Sequence, residues 1–334
     1  EITTRLVGSE MCIRDSYDLS GSKKPVKRLW ISSLEDSAIL DGMQHLRSAE
    51  EYRHLAEAAV CRSQADWLVG MNATRAYTTK YFKKLTVGRV QTPTLAMLVE
   101  RAGQISNFQK EKYFNVELDC DGIPAVKPKI FDPDEAEQLR SRCQGSEAIV
   151  TAVKETEKKV KAPKLYDLTT LQREANRIYG MTAKQTLDTA QSLYEKKLIT
   201  YPRTDSQYLT EDMEQTARNV VRQIYEKYQL TGPFDQPEQP DVKKVMNNSK
   251  VTDHHAIIPT MELASCHLDE LKSWEEKILF LIAVHTVMAM SKDHIYQETE
   301  IEVECQGEIF KAKGKNVLQD GWKVFENCFK NKDR

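Results

Sequence analysis

The stretch that most constrains this chain is LITYPRTDSQYLT, residues 198–210, in which a short apolar segment ends at Tyr201. Pro202 stiffens the turn, and Arg203 follows at once. A tyrosine hydroxyl has an ordinary pKa of about 10, so alone it is a poor nucleophile at neutral pH. An arginine two residues on can point the same way, stabilise the phenolate and clamp a phosphate through two hydrogen bonds. The pattern suits a tyrosine that attacks a phosphodiester. On local chemistry alone, however, an ordinary half-buried strand tyrosine beside a surface arginine explains so short a motif better.

Two helices are predicted directly before this segment. Asp167 is a good N-cap for the first helix, and Gly180 is a suitable stop. Thr182 caps the second helix, whose apolar residues recur at helical spacing. Helix, short glycine-containing turn, helix and strand is the order of a helix-turn-helix unit with a wing. The predicted wing carries Tyr201.

Four motifs resemble, in the same order, the hallmark segments of type IA DNA topoisomerases, in particular their bacterial topoisomerase III branch. They are VGRVQTPTLAMLVERAGQISNF, LYDLTTLQREANRIYG, KKLITYPRTDS and TDHHAIIPT. The resemblance implies an α+β multidomain fold that forms part of a toroid. It implies a helical DNA-groove domain over residues 17–110 and a discontinuous β-rich arch over 111–163 and 293–334. A winged-helix (CAP-like) catalytic domain over 164–292 is then inserted in the arch.

The resemblance also implies roles for individual residues. Tyr201 is the expected nucleophile, and Arg203 and His254 are expected to neutralise charge on the phosphoryl oxygens. The expected DNA contacts in the catalytic part are Asp205, Ser206 and His255, with the role of His255 left open. Those in the N-terminal part are Arg62, Asp66, Arg75, Thr86, Val87, Gly88, Arg89, Val90, Gln91 and Thr92.

The residue types of the GRVQT segment suit phosphate binding. Gly88 permits close backbone approach, Arg89 suits a phosphate, and Gln91 and Thr92 can donate to phosphate oxygens. A helix is predicted to follow over residues 94–105. Arg62 and Asp66 are four residues apart and share one helix face, so an ordinary surface ion pair competes with a DNA contact there.

Composition narrows the function classes. The 334 residues carry a formal net charge of −2, so any DNA-binding surface must be a local patch. No phosphate-binding GxxxxGK[ST] loop occurs, and no ATP use is expected. No apolar run reaches the length of a membrane span, and residues 278–290 are instead predicted to form a buried helix. Seven single cysteines favour a reducing cytoplasm.

An acidic cluster at Asp132, Asp134 and Glu135 resembles a magnesium site, but an aspartate followed by proline and acids is also an ordinary helix start. We therefore expect no metal site in this chain. The resemblance implies that Mg²⁺ binds in an N-terminal Toprim domain, which is expected to be missing here together with the C-terminal end. Residues 1–16 are predicted to be a non-native leader.

The predicted activity is ATP-independent cleavage of single-stranded DNA through a 5′-phosphotyrosyl intermediate, followed by strand passage and religation. The predicted partner is single-stranded DNA, or DNA with single-stranded regions, bound by a monomer in the cytoplasm on chromosomal or plasmid DNA. A non-catalytic winged-helix protein and an inactive topoisomerase fragment are the alternatives. A tyrosine recombinase is a third and weaker alternative, because no histidine-x-x-arginine motif clearly supplies the catalytic residues that it needs.

Overall fold

The computed structural model describes residues 17, 19–31, 36–230, 240–251 and 254–330. The expected leader, residues 1–16, lies outside the described residues. The described residues divide into two compact units, one within residues 17–30 and 42–112 and the other within residues 31–41 and 113–330.

Long helices dominate the N-terminal part of the chain. Strand β1 (Lys27–Arg28) pairs antiparallel with β2 (Arg47–Ser48), and helix α1 (Asp36–Gln44) lies between them in sequence. Helix α2 (Arg53–Tyr81) and helix α3 (Gln91–Ser106) follow, and neither contains a buried residue. Helix α3 begins three residues before the predicted start, because Pro93 in the first turn lacks only an N–H that has no intrahelical partner there.

Five antiparallel strands form the sheet of the second unit, in the order β3-β4-β7-β6-β5. Helix α4 (Pro133–Cys143) packs on this sheet, and its N-cap Asp132 accepts a hydrogen bond from the Asp134 N–H at 2.9 Å. The helix-start interpretation of this acidic cluster is therefore confirmed. The strands are β3 (Phe114–Cys120), β4 (Ile123–Ile130), β5 (Ile149–Val160), β6 (His294–Cys305) and β7 (Glu308–Gln319).

Charge pairs link the three longest strands. Strand β6 lies between β5 and β7, and its glutamates face lysines of both neighbours. Glu300 and Glu302 lie directly opposite Lys313 and Lys311 of β7. Opposite charges placed across a strand pair favour this register, although each exposed pair contributes little to stability.

The segment between β5 and β6 folds as a helical bundle. It contains α5 (Leu168–Tyr179), α6 (Ala183–Glu195), α7 (Glu214–Tyr228) and α8 (Ser273–Ala289), and α9 (Asn327–Lys330) follows the sheet. Helix α8 is buried on nearly every side, and α5, α6 and α7 pack around it. The predicted buried helix is confirmed. No described helix has the length and apolarity needed to cross a bilayer.

Local sequence signals account for the ends of α5 and α6. The Asp167 carboxylate accepts a hydrogen bond from the Thr170 N–H at 2.7 Å, and Gly180 ends α5 with a φ of 66°. The Thr182 hydroxyl oxygen accepts from the Gln185 N–H at 3.2 Å. All three predicted caps are confirmed, and they set the turn between the two helices.

A buried carboxylate ties α8 to α6. Glu275 is 3% exposed and accepts hydrogen bonds from Ser192 Oγ at 2.7 Å, Lys196 Nζ at 2.6 Å and the Lys272 N–H at 3.0 Å. Burial by itself would raise the pKa of Glu275, but these bonds outweigh it and hold the pKa at about 2. The ionised carboxylate thus stabilises the end of α6 from which the chain enters the tyrosine segment.

We expect Glu275→Gln to lower the free energy of unfolding by about 2 kcal/mol at pH 7, because the amide carries no negative charge beside Lys196 and has an NH2 donor in place of one of the two accepting oxygens. The folded-state pKa lies below the ordinary value of 4.5, so the carboxylate's stabilisation is complete above pH 4.5 and is lost as pH falls towards 2. Urea unfolding at several pH values measures this difference. The exposed control Glu195→Gln should change stability by less than about 0.5 kcal/mol. An equal cost for both variants, or a Glu275→Gln cost that does not depend on pH, would contradict the assignment.

Candidate active site and nucleic-acid interface

The Tyr201 segment is held by backbone pairing with a distant stretch of the chain. Ile199 forms an isolated antiparallel bridge with Pro259. The Thr200 N–H donates to the Ile258 carbonyl, and the Thr260 N–H donates to the Leu198 carbonyl, each at 3.0 Å. The predicted strand is therefore reduced to one short pairing, since only three residues lie between the turn at Lys197 and Tyr201.

Three of the sequence motifs meet here. Tyr166 forms a bridge with Ile257, and the Leu168 N–H donates to the Thr204 carbonyl at 3.1 Å. The Ala256 N–H donates to the Tyr208 carbonyl at 2.9 Å. Segments that lie far apart in sequence thus form one hydrogen-bonded frame around Tyr201.

Hydroxyl side chains complete this frame. Thr200 Oγ1 donates to the Ala256 carbonyl and accepts from the Ile258 N–H, both at 3.0 Å. Thr204 Oγ1 donates to the His254 carbonyl at 2.9 Å, and Ser206 Oγ donates to the Lys250 carbonyl at 2.9 Å. Ser206 is buried, so its hydroxyl has a structural function, and its DNA contact stays a prediction.

Tyr201 lies among aromatic rings at the edge of a cavity. Its ring centroid is 4.4 Å from that of His254, and it meets the Tyr194 ring edge-on at 5.3 Å. The cavity has a volume of about 650 Å³, and all three rings line it. Tyr201 is half-buried and His254 is exposed, so a strand can reach both side chains. The structure brings the predicted nucleophile and the predicted histidine together.

The other predicted catalytic residue lies differently. Arg203 is exposed, does not line the cavity, and forms no ion pair with any described residue. Asp205 is also exposed. His255 lines the cavity and donates from Nδ1 to its neighbour's carbonyl, that of Ala256, at 2.8 Å. Burial lowers the pKa of His255, and the adjacent His254 lowers it further against the opposing backbone bond.

A second group of predicted residues forms a shallow groove between α2 and α3 in the first unit. Arg89 Nε donates to the Asp66 carboxylate in a short ion pair. The groove has a volume of about 660 Å³, and its lining includes Gly70, Gly88 and Gln91 besides this pair.

Asp66 thus pairs with an arginine 23 residues later rather than with Arg62, which forms no ion pair among the described residues. The interpretation as an Arg62–Asp66 surface ion pair is therefore wrong for this structure. The α2–α3 turn brings Arg89 onto the face that holds Asp66, and helical spacing alone does not indicate this contact. Val87 and Val90 also line the groove.

Threonines position the GRVQT segment. The Val87 N–H donates to Thr74 Oγ1 at 3.0 Å, and the Gly88 N–H donates to Thr92 Oγ1 at 3.1 Å. A Cβ at Gly88 would lie only 3.0 Å from the Gln91 amide nitrogen, so glycine lets the chain turn closely into α3. The other predicted contacts, Arg62, Arg75 and Thr86, are exposed outside the groove lining.

Some functional neighbours were missed from the sequence. Tyr194 meets Tyr201 because it occupies the last turn of α6, and its place seven residues before Tyr201 was the available signal. Thr200 and Thr204 carry no comparable signal, since their partners lie fifty or more residues later in the chain.

The acidic and metal-ligating side chains do not suggest a magnesium site. Within the described ranges no group of three such residues is placed to hold a metal ion. Asp132 is committed to capping α4. The magnesium expected for a complete type IA enzyme therefore does not fit the described residues.

Comparison with known proteins places this geometry in context. The profile of the family described as DNA topoisomerase matches residues 50–334. DNA topoisomerase 3 of Bacillus subtilis is 42% identical over 325 residues, covering 94% of this chain and 44% of the relative. DNA topoisomerase 3 of Staphylococcus epidermidis is 39% identical over 324 residues, covering 95% and 45%. The chain thus spans less than half the length of these relatives.

A solved structure shares the fold. Full-length topoisomerase I from Thermotoga maritima matches with a TM-score of 0.68 and 26% identity, over 90% of this chain and 50% of that one. The mixed α and β architecture is therefore confirmed. The finer assignment of its parts to an arch and a winged-helix domain stays a prediction.

We expect Thr200→Val to lower the free energy of unfolding by about 2 kcal/mol, because valine keeps the shape but leaves the Ile258 N–H and the Ala256 carbonyl without this partner. Chemical denaturation measures the cost. Thr169→Val, on the exposed face of α5, is the matched control and should cost less than about 0.5 kcal/mol. If the two substitutions cost the same, Thr200 does not hold the frame.

Proposed function

Because this chain belongs to the DNA topoisomerase family, we propose that it cleaves single-stranded DNA by type IA, topoisomerase III-like transesterification at Tyr201. The observation that supports this most directly is the contact between the Tyr201 and His254 rings at the edge of an accessible cavity. Both residues lie in segments that are tied together by backbone hydrogen bonds.

In the proposed reaction, Tyr201 Oη attacks a backbone phosphorus while the bond from phosphorus to the 3′ oxygen breaks. The phenol loses its proton and the leaving 3′ oxygen takes one up. A 5′-phosphotyrosyl ester and a free 3′ hydroxyl result. One phosphodiester replaces another, so the step is near energy-neutral and reverses without ATP. Religation is the same reaction run backwards, after a second strand has passed.

Two side chains are proposed to support this step. His254 is proposed to neutralise charge on the phosphoryl oxygens, and the position of its ring beside that of Tyr201 supports this role. Its backbone carbonyl is held by Thr204, so the residue is positioned before DNA binds. Arg203 is exposed and is available to grip the phosphate with its planar guanidinium once a strand lies over the tyrosine. Asp205 and His255 are proposed as nearby DNA contacts.

The α2–α3 groove is proposed to hold the single strand. Arg89 and Gln91 line the groove and can donate to phosphate oxygens. Arg62, Arg75 and Thr92 lie outside its lining and are proposed to contact the strand on either side of it. Asp66 orients Arg89 through their ion pair. Binding of this kind weakens as salt rises, since it releases counterions from the DNA.

The oligomeric state, the location and the DNA substrate are proposed by analogy with the relatives. We propose a monomer that acts in the cytoplasm on chromosomal or plasmid DNA, because the related proteins are bacterial DNA topoisomerases. Magnesium, where the complete reaction uses it, would assist charge balance at the phosphate.

We expect the chain to form a covalent adduct with single-stranded DNA that Tyr201→Phe abolishes, because phenylalanine has no nucleophilic oxygen. For this assay, the chain is substituted for the matching segment of the Bacillus subtilis topoisomerase, so that the rest of that enzyme is also present. After denaturation, a label at the 3′ end of the oligonucleotide should migrate with the protein, whereas a 5′ label should not.

The control for this experiment is Tyr113→Phe, which removes an exposed hydroxyl far along the sequence. An adduct that persists in Tyr201→Phe, or one that retains the 5′ label, would show that the proposed chemistry is wrong. Salt-sensitive DNA binding, with no adduct formed by the unsubstituted protein or by Tyr113→Phe, would instead indicate the non-catalytic winged-helix alternative.

We expect Arg203→Lys to slow cleavage about tenfold, a loss of about 1.4 kcal/mol of transition-state stabilisation, while DNA binding is mostly retained. Lysine keeps the charge but loses the two-pronged hydrogen bonding. Single-turnover cleavage rates and binding affinities separate the two effects. Arg222→Lys, on the exposed face of α7, is the control. Cleavage by Arg203→Lys at the parental rate would refute bidentate binding.

A further inference from the structure

Two lysines from distant parts of the chain meet the ring of Tyr208, which lies seven residues after Tyr201 on the same segment. Lys250 Nζ lies 4.8 Å and Lys164 Nζ lies 5.5 Å from the centroid of the Tyr208 ring. Lys250 Nζ also donates to the Tyr208 hydroxyl at 3.4 Å. Burial by itself would raise the pKa of Tyr208, but hydrogen bonds from the two lysines lower it. Two positive charges thus converge on one ring.

Both ammonium groups are exposed, and neither has a carboxylate within ion-pair distance among the described residues. The nearby acids are engaged elsewhere. Asp167 accepts from Thr170 and Gln207, and Glu174 pairs with Arg177 at 2.6 Å. Two cations held close together without an acidic partner favour an anionic ligand.

The backbone carbonyl of each lysine accepts a hydrogen bond that does not involve the ammonium group. The Lys250 carbonyl accepts from buried Ser206. The Lys164 carbonyl accepts from His285 Nε2 at 2.7 Å, and the His285 ring stacks on Tyr166 at 3.7 Å. Burial lowers the pKa of His285 to about 4, so this histidine is neutral at pH 7 and adds no competing charge.

A surface pocket adjoins the cluster and adds further donors. Its volume is about 440 Å³, and Lys164, Thr170, Arg173 and Gln207 lie on its wall. Arg173 is exposed and forms no ion pair with a described residue. The Thr170 hydroxyl and the Gln207 amide already donate to Asp167. Glu174 also lies on this wall and pairs with Arg177. Lys164 and Arg173 are therefore the cations of this pocket that can bind phosphate oxygens.

We propose that Lys164 and Lys250, positioned by the ring of Tyr208, bind the phosphates of the same DNA strand that Tyr201 cleaves. This proposal rests on the proposed function. Tyr208 lies seven residues after Tyr201, so the two side chains belong to points at most roughly 25 Å apart along the backbone. The bound strand therefore extends from the catalytic tyrosine across the end of its own segment, and the lysines fix its path.

The test measures equilibrium binding of a fluorescent oligodeoxythymidine to the full chain that carries Tyr201→Phe, so that no covalent step contributes. We expect Lys164→Gln with Lys250→Gln to weaken binding and to reduce the slope of log affinity against log salt by about 1.4. Each phosphate contact on a single strand contributes about 0.7 to that slope.

The matched control replaces two other lysines that lie over aromatic rings. Lys315 is 5.0 Å from the Tyr296 ring, and Lys323 is 5.9 Å from the Trp322 ring. Lys315→Gln with Lys323→Gln removes the same net charge and should leave the slope unchanged. Tyr208→Leu should weaken binding more than Tyr208→Phe, because phenylalanine loses the hydroxyl contact but keeps the aromatic ring beside both ammonium groups.

Lysine acetylation followed by mass spectrometry gives a second measurement on the protein that carries only Tyr201→Phe. Bound oligonucleotide should protect Lys164 and Lys250 but not Lys315. Unchanged slope and absent protection in a chain that still binds DNA would overturn this inference and leave the proposed function standing. Failure of the parent chain to bind DNA at all would overturn both.

Discussion

The pairing of residues 198–200 with residues 256–260 is the interaction on which the site depends. Thr200 bonds to both Ala256 and Ile258 through its side chain, and its own N–H bonds to the Ile258 carbonyl. These groups lie against the core around α8, where an unpaired backbone group is costly. The chain therefore has little freedom to move Tyr201 relative to His254.

This frame separates buried side chains from exposed ones. Thr204 and Ser206 are buried and bonded to backbone carbonyls, whereas Arg203 and Asp205, which alternate with them, are exposed. Alternation of buried and exposed side chains along an extended segment is the ordinary geometry of a strand. It lets one short stretch both bind the core and present charged groups to a ligand. The half-buried Tyr201 lies at the boundary between these two environments.

The first unit is organised in a different way. Helices α2 and α3 contain no buried residue, so packing contributes little to the position of their side chains. Hydrogen bonds and one ion pair take that role: Thr74 and Thr92 hold the backbone of the GRVQT segment, and Asp66 holds Arg89. Polar contacts of this type remain exposed to water and are sensitive to salt.

The sequence by itself determined the features that depend on local or periodic signals. The caps at Asp167, Gly180 and Thr182, the buried helix α8 and the helix start at Asp132 each follow from residue preferences that act within a few positions. Resemblance to known motifs predicted Tyr201 and His254 as catalytic residues. Only the tertiary structure decided that Asp66 pairs with Arg89 rather than with Arg62, and that Lys164 and Lys250 meet at Tyr208. Such contacts join residues 23 or more positions apart. Helix and strand periodicity relates only residues a few positions apart, so the sequence pattern does not indicate these contacts.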